Sequence, residues 1–218
     1  MKTTHRTATK RERDFELPRD LVPHPRAREM ARRAHGRAAA LGVDEIRAQV
    51  WQAAHSTIVP GTAVIANTAL QNYPMFPRRL YADLLKRCRR CARPFVFYAN
   101  EQRFWYETLR IPVDADCVDC PPCRKLAHRL KGCQFRYAAA LHAHRLDAKA
   151  MKTFVDDTLF LFEQGVLRDL ARVGAIKNRA QRELAGYAGT GQLAHAVACA
   201  REAAEMRPGA WRNRHWVA

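Results

Sequence analysis

Two pairs of cysteines, Cys88-Arg89-Arg90-Cys91 and Cys120-Pro121-Pro122-Cys123, have a spacing that does recognisable chemistry. A two-residue gap folds into a tight knuckle that turns both thiolates toward one ion, and two knuckles complete a tetrahedron of soft donors. Such a shell selects Zn2+, one ion per chain, on Cys88, Cys91, Cys120 and Cys123. Cys117 offers an alternative, because Cys117 and Cys120 also stand two residues apart. The pair 120/123 is preferred. Its prolines stiffen the turn, and Cys123 falls where a helix is expected to begin, with its amide dipole favouring thiolate. Cys133, Cys199 and His128 lie outside the pattern and read as buried thiols or surface imidazole.

Four thiolates close a zinc shell, whereas a catalytic zinc keeps a position for water beside a general base. The expected ion is therefore structural. A zinc deaminase would need His-x-Glu ahead of Pro-Cys-x-x-Cys, and none precedes this pair. Gly186, Gly189 and Gly191 match no phosphate-binding Gly-x-x-x-x-Gly-Lys loop. His142, His144, Asp156 and Asp157 read as residues of solvated helix surfaces. No nucleophile, base and orienter can be assembled from the sequence, so the chain is not expected to be an enzyme.

The charge points to a partner. The net charge is +17 over 218 residues, and a surface that positive attracts polyanions through its field and through counterion release. The excess is unevenly placed. Residues 1–40 hold 11 basic and 5 acidic side chains, residues 78–93 hold 7 and 1, and residues 124–152 hold 8 and 1, while residues 153–206 hold 6 and 7. Arg89, Arg90 and Arg93 in the first knuckle, with Arg124, Lys125 and Arg129 after the second, stand where phosphate contact is expected. Phe104, Trp105 and Tyr106 invite base stacking, but three consecutive aromatics on a helix cannot share a face, and core packing is the preferred reading. The expected partner is nucleic acid or a ribosome.

These residues need elements to position them. Residues 1–23 read as a basic arm, with neither the apolar run of a secretory signal nor, anywhere in the chain, a membrane-spanning stretch. Thiols without an export signal imply a cytoplasmic protein. Residues 24–66 read as a helical hairpin, Ala27–Leu41 and Asp44 through Ala54, followed by a loop with short extended pieces from Ile58 to Leu70. Within a zinc-binding module at 67–131, Phe95–Tyr98 suits a strand, Asn100 a cap for a short helix through Leu109, and Arg124–Lys131 a helix start. Residues 132–218 read as a helical bundle over Ala138–Ala150, Phe154–Val173, Ile176–Tyr187 and Leu193–Met206, broken at Gly174, Gly189 and Pro208. Phe154, Leu159, Phe160, Phe162 and Leu167 read as bundle core, with docking of a protein partner through these C-terminal helices as the alternative.

From Asn67 to Lys125 the sequence resembles the probable zinc-ribbon domain family found in many uncharacterised bacterial proteins. The likeness lies in Asn72-Tyr73, Phe76-Pro77 and Tyr81-Ala82-Asp83 ahead of Cys88-x-x-Cys91, then in the run Asn100 to Glu107, and in Cys120-x-x-Cys123-Arg124. It implies a four-cysteine zinc site at these positions and a metal-stabilised small core, but no biochemical role. Ala92 departs from the family's usual glycine after the second cysteine, the strand is Phe-Val-Phe-Tyr, and Cys117 is an addition.

The expected fold is mostly α, with a small α+β zinc-ribbon or treble-clef-like module between a helical hairpin and a helical bundle. The expected function is zinc-stabilised, non-catalytic binding of RNA, DNA or a ribosome. A protein-interaction adaptor with a purely structural zinc is the alternative.

Overall fold

A computed structural model describes residues 15–31, 41–49, 56–72 and 75–206. The chain divides into two compact units between Lys125 and Leu126. Among the described residues it is mostly helical, with its strands confined to the first unit.

That unit is built on two short antiparallel ribbons. Strand β1 (Thr57–Ile58) pairs with β4 (Leu84–Arg87), which pairs with β5 (Pro94–Phe97); β2 (Val64–Ile65) pairs with β3 (Leu80–Tyr81). In the β4–β5 hairpin Leu84 stands opposite Phe97 and Arg87 opposite Pro94. Phe95, Val96 and Phe97 are all buried, so this strand shows an unbroken apolar run instead of alternation. Pro94 suits the start of a strand, where its missing N–H is least felt. Beside it, the Val22 amide donates to the Pro94 carbonyl at 2.8 Å.

Among the described residues, short α-helices accompany these strands: α1 (Ala27–Met30), α2 (Val43–Gln49) and α3 (Ala99–Arg103). The rest of the expected hairpin, residues 32–40 and 50–55, lies outside the described residues, as do residues 1–14 of the basic arm and Tyr73 of the family likeness. Asp44 falls in the first turn of α2 instead of capping it, and Glu45 accepts the Gly42 amide at 2.7 Å.

Asn100 likewise does not cap α3. The helix starts at Ala99, two residues earlier than a cap at Asn100 would place it, and the Asp83 carboxylate accepts the Ala99 amide at 2.6 Å, while the Asn100 side chain donates to the Met30 carbonyl. Burial pushes the Asp83 carboxyl up to about 6, against the opposing pull of the Ala99 hydrogen bond. After Arg103 the helix widens into a π turn over Phe104–Thr108, in which the Leu109 amide reaches the Phe104 carbonyl. Tyr106 is buried there and donates to the Ala115 carbonyl, Trp105 packs edge-on against Phe97 at 5.0 Å, and Phe104 remains at the surface.

Helix α4 (Pro121–His142) begins in the first unit, and α5 (Ala148–Glu163), α6 (Leu170–Glu183) and α7 (Ala188–Glu205) belong to the second. The second core gathers Tyr137, Met151, Phe154, Val155, Leu161, Val173, Ile176, Leu193 and Val197. Leu159, Phe160, Phe162 and Leu167 are half-buried against it, as their apolar spacing implied.

The helix boundaries differ from those expected. No helix spans Ala138–Ala150, because Asp147 accepts the Ala150 amide at 2.7 Å and starts α5 afresh. Asp169 does the same for α6 through the Arg172 amide at 3.0 Å. Gly174 is no break: it lies buried within α6, where an added Cβ would stand 3.2 Å from the Arg201 guanidinium. The turn falls instead at Gly165, which takes a φ of +68°. Gly189 falls in the first turn of α7, and Pro208 lies outside the described residues.

Candidate metal centre

The first knuckle is the turn of the β4–β5 hairpin. Here the Cys88 amide donates to the Arg93 carbonyl and the Ala92 amide to the Cys88 carbonyl, each at 2.9 Å. Ala92 closes the turn with φ +58°. This left-handed conformation costs an L-residue about 1–2 kcal/mol and costs glycine little, which accounts for glycine being usual at this place. The second knuckle is the start of α4. Cys120 precedes the helix, its carbonyl accepting the Arg124 amide at 2.9 Å, and Cys123 lies in the first turn.

Two backbone bonds hold the knuckles together. The Arg89 amide donates to the Val118 carbonyl at 2.9 Å, and the Cys120 amide donates to the Cys88 sulfur at 3.3 Å. The four Sγ atoms of Cys88, Cys91, Cys120 and Cys123 lie within 4.8 Å of one another, with Cys91 and Cys120 at 3.7 Å. A zinc ion with Zn–S bonds near 2.3 Å requires tetrahedral edges of about 3.8 Å, so the donor set fits zinc in both type and spacing.

The environment favours thiolate at Cys88 and opposes it at Cys120 and Cys123. Burial pushes the Cys88 thiol up, but the amides of Cys120, Cys91 and Arg90 more than reverse this and bring it down to about 6. Cys120 and Cys123 are pushed up by burial and by their neighbouring sulfurs. A divalent cation relieves that repulsion and takes the place of the protons. Cys117 is not one of the four: it is buried, lies against the Asp119 carbonyl at 3.5 Å, and burial raises its thiol to about 12. The preferred pair, 120 and 123, is the one the structure groups with Cys88 and Cys91.

Around the metal, charges are tied in pairs. The Asp119 carboxylate accepts the Arg90 Nε at 3.0 Å and lies 3.9 Å from Arg89. Glu101 accepts Arg124 at 2.7 Å and stands 3.6 Å from the His24 Nε2. The Arg124 guanidinium also stacks 5.0 Å from the Trp105 ring. Arg124 therefore braces the start of α4 against the aromatic turn, and is not the free rim cation that its place after the second knuckle indicated.

Arg89 and Arg90 keep 71% and 44% of their side-chain surface, and Arg93 and Lys125 are exposed. Arg129 belongs to the second unit, with its guanidinium 3.8 Å from the Phe160 ring. Sequence reasoning passed over Arg87, exposed on the same hairpin and donating to the Ala92 carbonyl at 2.9 Å. Its position one residue before the first knuckle was the available signal.

The remaining candidates gather no second site among the described residues. Cys133 is buried and Cys199 exposed, the latter 3.8 Å from His195 on its own helix. His128, His142, His144 and Asp156 are exposed. Asp157 is not on a solvated face as expected: it is buried and accepts two hydrogen bonds from Arg136, at 2.7 and 2.8 Å, because a charge inside a helical core needs an opposite charge beside it.

A hairpin knuckle facing a helix start, with four thiolates for one zinc ion, defines a treble-clef zinc finger. Residues 82–131 match the family model described as "Probable treble clef domain", and the match takes in all four cysteines. No curated protein and no solved structure matches the chain. Among the described residues, no helix is long and apolar enough to cross a membrane.

Proposed function

We propose that the treble clef is a non-catalytic phosphate-binding module whose zinc fixes the shape of a cationic hairpin, and that the chain binds RNA or DNA, free or within a ribosome. The observation that carries this reading is the placement of Arg87, Arg89, Arg90 and Arg93 on one tight hairpin, all exposed. Backbone hydrogen bonds and the metal hold that turn rigid, so little side-chain and loop ordering remains to be lost when an anion binds. Asp119 offsets part of the charge and at the same time orients Arg90. Lys125 adds an exposed cation at the end of the unit. The net charge of +17 supplies long-range attraction. A shell of four thiolates leaves no position for a substrate, and thiolate ligation suits a reducing compartment such as the cytoplasm.

The test replaces Arg89, Arg90 and Arg93 together by Glu and, separately, by Gln. Affinity for a fluorescent single-stranded RNA and a duplex DNA is then measured across salt concentrations. Both variants should retain one zinc and wild-type circular dichroism. The Gln variant should lower the slope of log affinity against log salt by about 2 to 3, since each lost phosphate contact removes about 0.7–0.9. Unchanged affinity and slope in the folded variants would sink the reading.

A further inference from the structure

The first unit carries a cleft of about 680 Å³ between α1, β2 and the π turn, a size usual for sites that take a small molecule. A π turn gives up regular hydrogen bonding and recurs where helices carry functional sites. Here it sets Phe104 and Glu107, three residues apart, in the lining of the cleft. Trp105 packs on Phe97 and Tyr106 is buried, but Phe104 keeps 41% of its surface, an aromatic face left over from the core. The Glu107 side chain retains only 8% of its surface, and a carboxylate so enclosed needs donors. One of its oxygens accepts the Asn67 amide at 2.7 Å, the buried Tyr81 phenol lies beside the carboxylate, and the Arg103 Nε stands 3.8 Å from the other oxygen, beyond hydrogen-bond length. A carboxylate has room for about four donors, so Glu107 still has places for those of a ligand.

The charged lining is balanced, Arg26 and Arg103 against Glu29 and Glu107, so net charge selects no ligand. The order of donors and acceptors does. Arg103, half-exposed, only donates, Glu107 only accepts, and the two stand side by side next to the Phe104 ring. Their complement is a flat ring whose edge carries one acceptor followed by two neighbouring donors. Guanine presents O6, N1–H and N2–H2 in that order, and neither adenine, cytosine nor uracil places two donors side by side on its pairing edge. We infer that this cleft holds an unpaired guanine base, stacked on Phe104, with N1–H and N2–H2 donating to Glu107 and O6 accepting from Arg103. The base arrives either within a single strand, in which case the inference rests on the nucleic-acid reading above, or as a free nucleotide.

The test uses the full zinc-loaded chain and fluorescence anisotropy. A single-stranded oligouridine carrying one central guanosine is compared with the same strand carrying inosine, adenosine or cytidine there, or uridine throughout. The guanosine strand should bind about tenfold or more tightly than the others, and inosine, which keeps O6 and N1–H but lacks the N2 amine, should lose most of that preference. Glu107→Gln keeps an acceptor for the Asn67 amide and should erase the preference, with zinc content and circular dichroism unchanged; if that variant unfolds, the inosine comparison still decides. Guanosine monophosphate is titrated in parallel. Binding of the nucleotide but of no strand, with the same dependence on Glu107, would keep the guanine site for a free nucleotide and overturn the phosphate-binding reading of the hairpin. Strands that bind alike whatever the central base, or an inosine strand as tight as the guanosine strand, would overturn the guanine site and leave the hairpin reading standing. Failure of every strand and of the nucleotide would overturn both.

Discussion

The two units solve the same problem with different means. The second is held by helical stripes that meet in one apolar core, from Tyr137 to Val197, with the buried Asp157 carboxylate paired to the half-exposed Arg136 at its edge. The first divides its apolar residues between two clusters, one of twelve buried residues and one of five. One of these includes Cys88, Cys117 and Cys120, and between its strands it buries Arg78, Gln71, Asp83, Glu101 and Gln102. Arg78, enclosed over the Tyr106 ring at 4.5 Å and bonded to the Val113 carbonyl, has no buried counterpart among the described residues of the helical unit. In a unit of two- to four-residue strands, a metal supplies cohesion that such short strands lack.

This contrast can be broken most sharply by removing the ion. Chelation under reducing conditions, or Cys120→Ser, should abolish hydrogen-exchange protection across β4 and β5 while α5 to α7 keep theirs. The loss should amount to many kcal/mol, since structural zinc contributes on the order of 10 in small domains. Equal loss in both units, or in neither, would refute a metal-held first unit.

The reciprocal change is Leu193→Ala. This fully buried side chain should cost the second unit about 2–5 kcal/mol, read from denaturant unfolding. Native mass spectrometry should still find one zinc.

A third prediction concerns the buried cap. The Asp83 carboxyl is raised to about 6 in the folded protein, so the fold binds that proton more tightly than the unfolded chain does. Its favourable contribution is present below about pH 4 and is lost as pH rises through about 6. Asp83→Asn keeps an acceptor for the Ala99 amide and cannot ionise. The stability difference between variant and wild type should therefore shift toward the variant by roughly 2 kcal/mol between pH 4 and pH 7. Thiolate protonation, common to both proteins, cancels in that difference. A pH-independent difference would contradict the assignment.

The smallest effect is expected at Ala92. Replacing it by glycine relieves its positive φ but adds freedom to the unfolded chain, and the net gain should be about 0.5–1 kcal/mol. Thermal melting of the zinc-loaded protein would show it, and a loss would mean that the turn does not hold that conformation.

What was legible in the sequence was what local spacing controls. Each cysteine pair forms its knuckle within four residues, and the run Phe95 to Tyr98 suited the strand that the structure shows over Pro94–Phe97. Apolar periodicity likewise located the bundle. What escaped were decisions made at a distance. Asn100 had the right chemistry for a cap, but Asp83, sixteen residues earlier, reaches Ala99 across the hairpin. Arg124 looked like a rim cation until Glu101 and Trp105 came round to it. Glycine was read as punctuation, yet Gly174 sits inside a helix, while the real starts were written in Asp147 and Asp169.

The metal corners are not equal in access. Cys88 and Cys120 are buried, Cys123 is half-buried and Cys91 is exposed, so a competing thiol, a chelator or an oxidant meets the shell first at Cys91. How long zinc resides then depends on that corner more than on the other three, and equilibrium affinity and exchange rate become separable properties. Crowding Cys91 would slow metal turnover and leave the strength of the site almost unchanged.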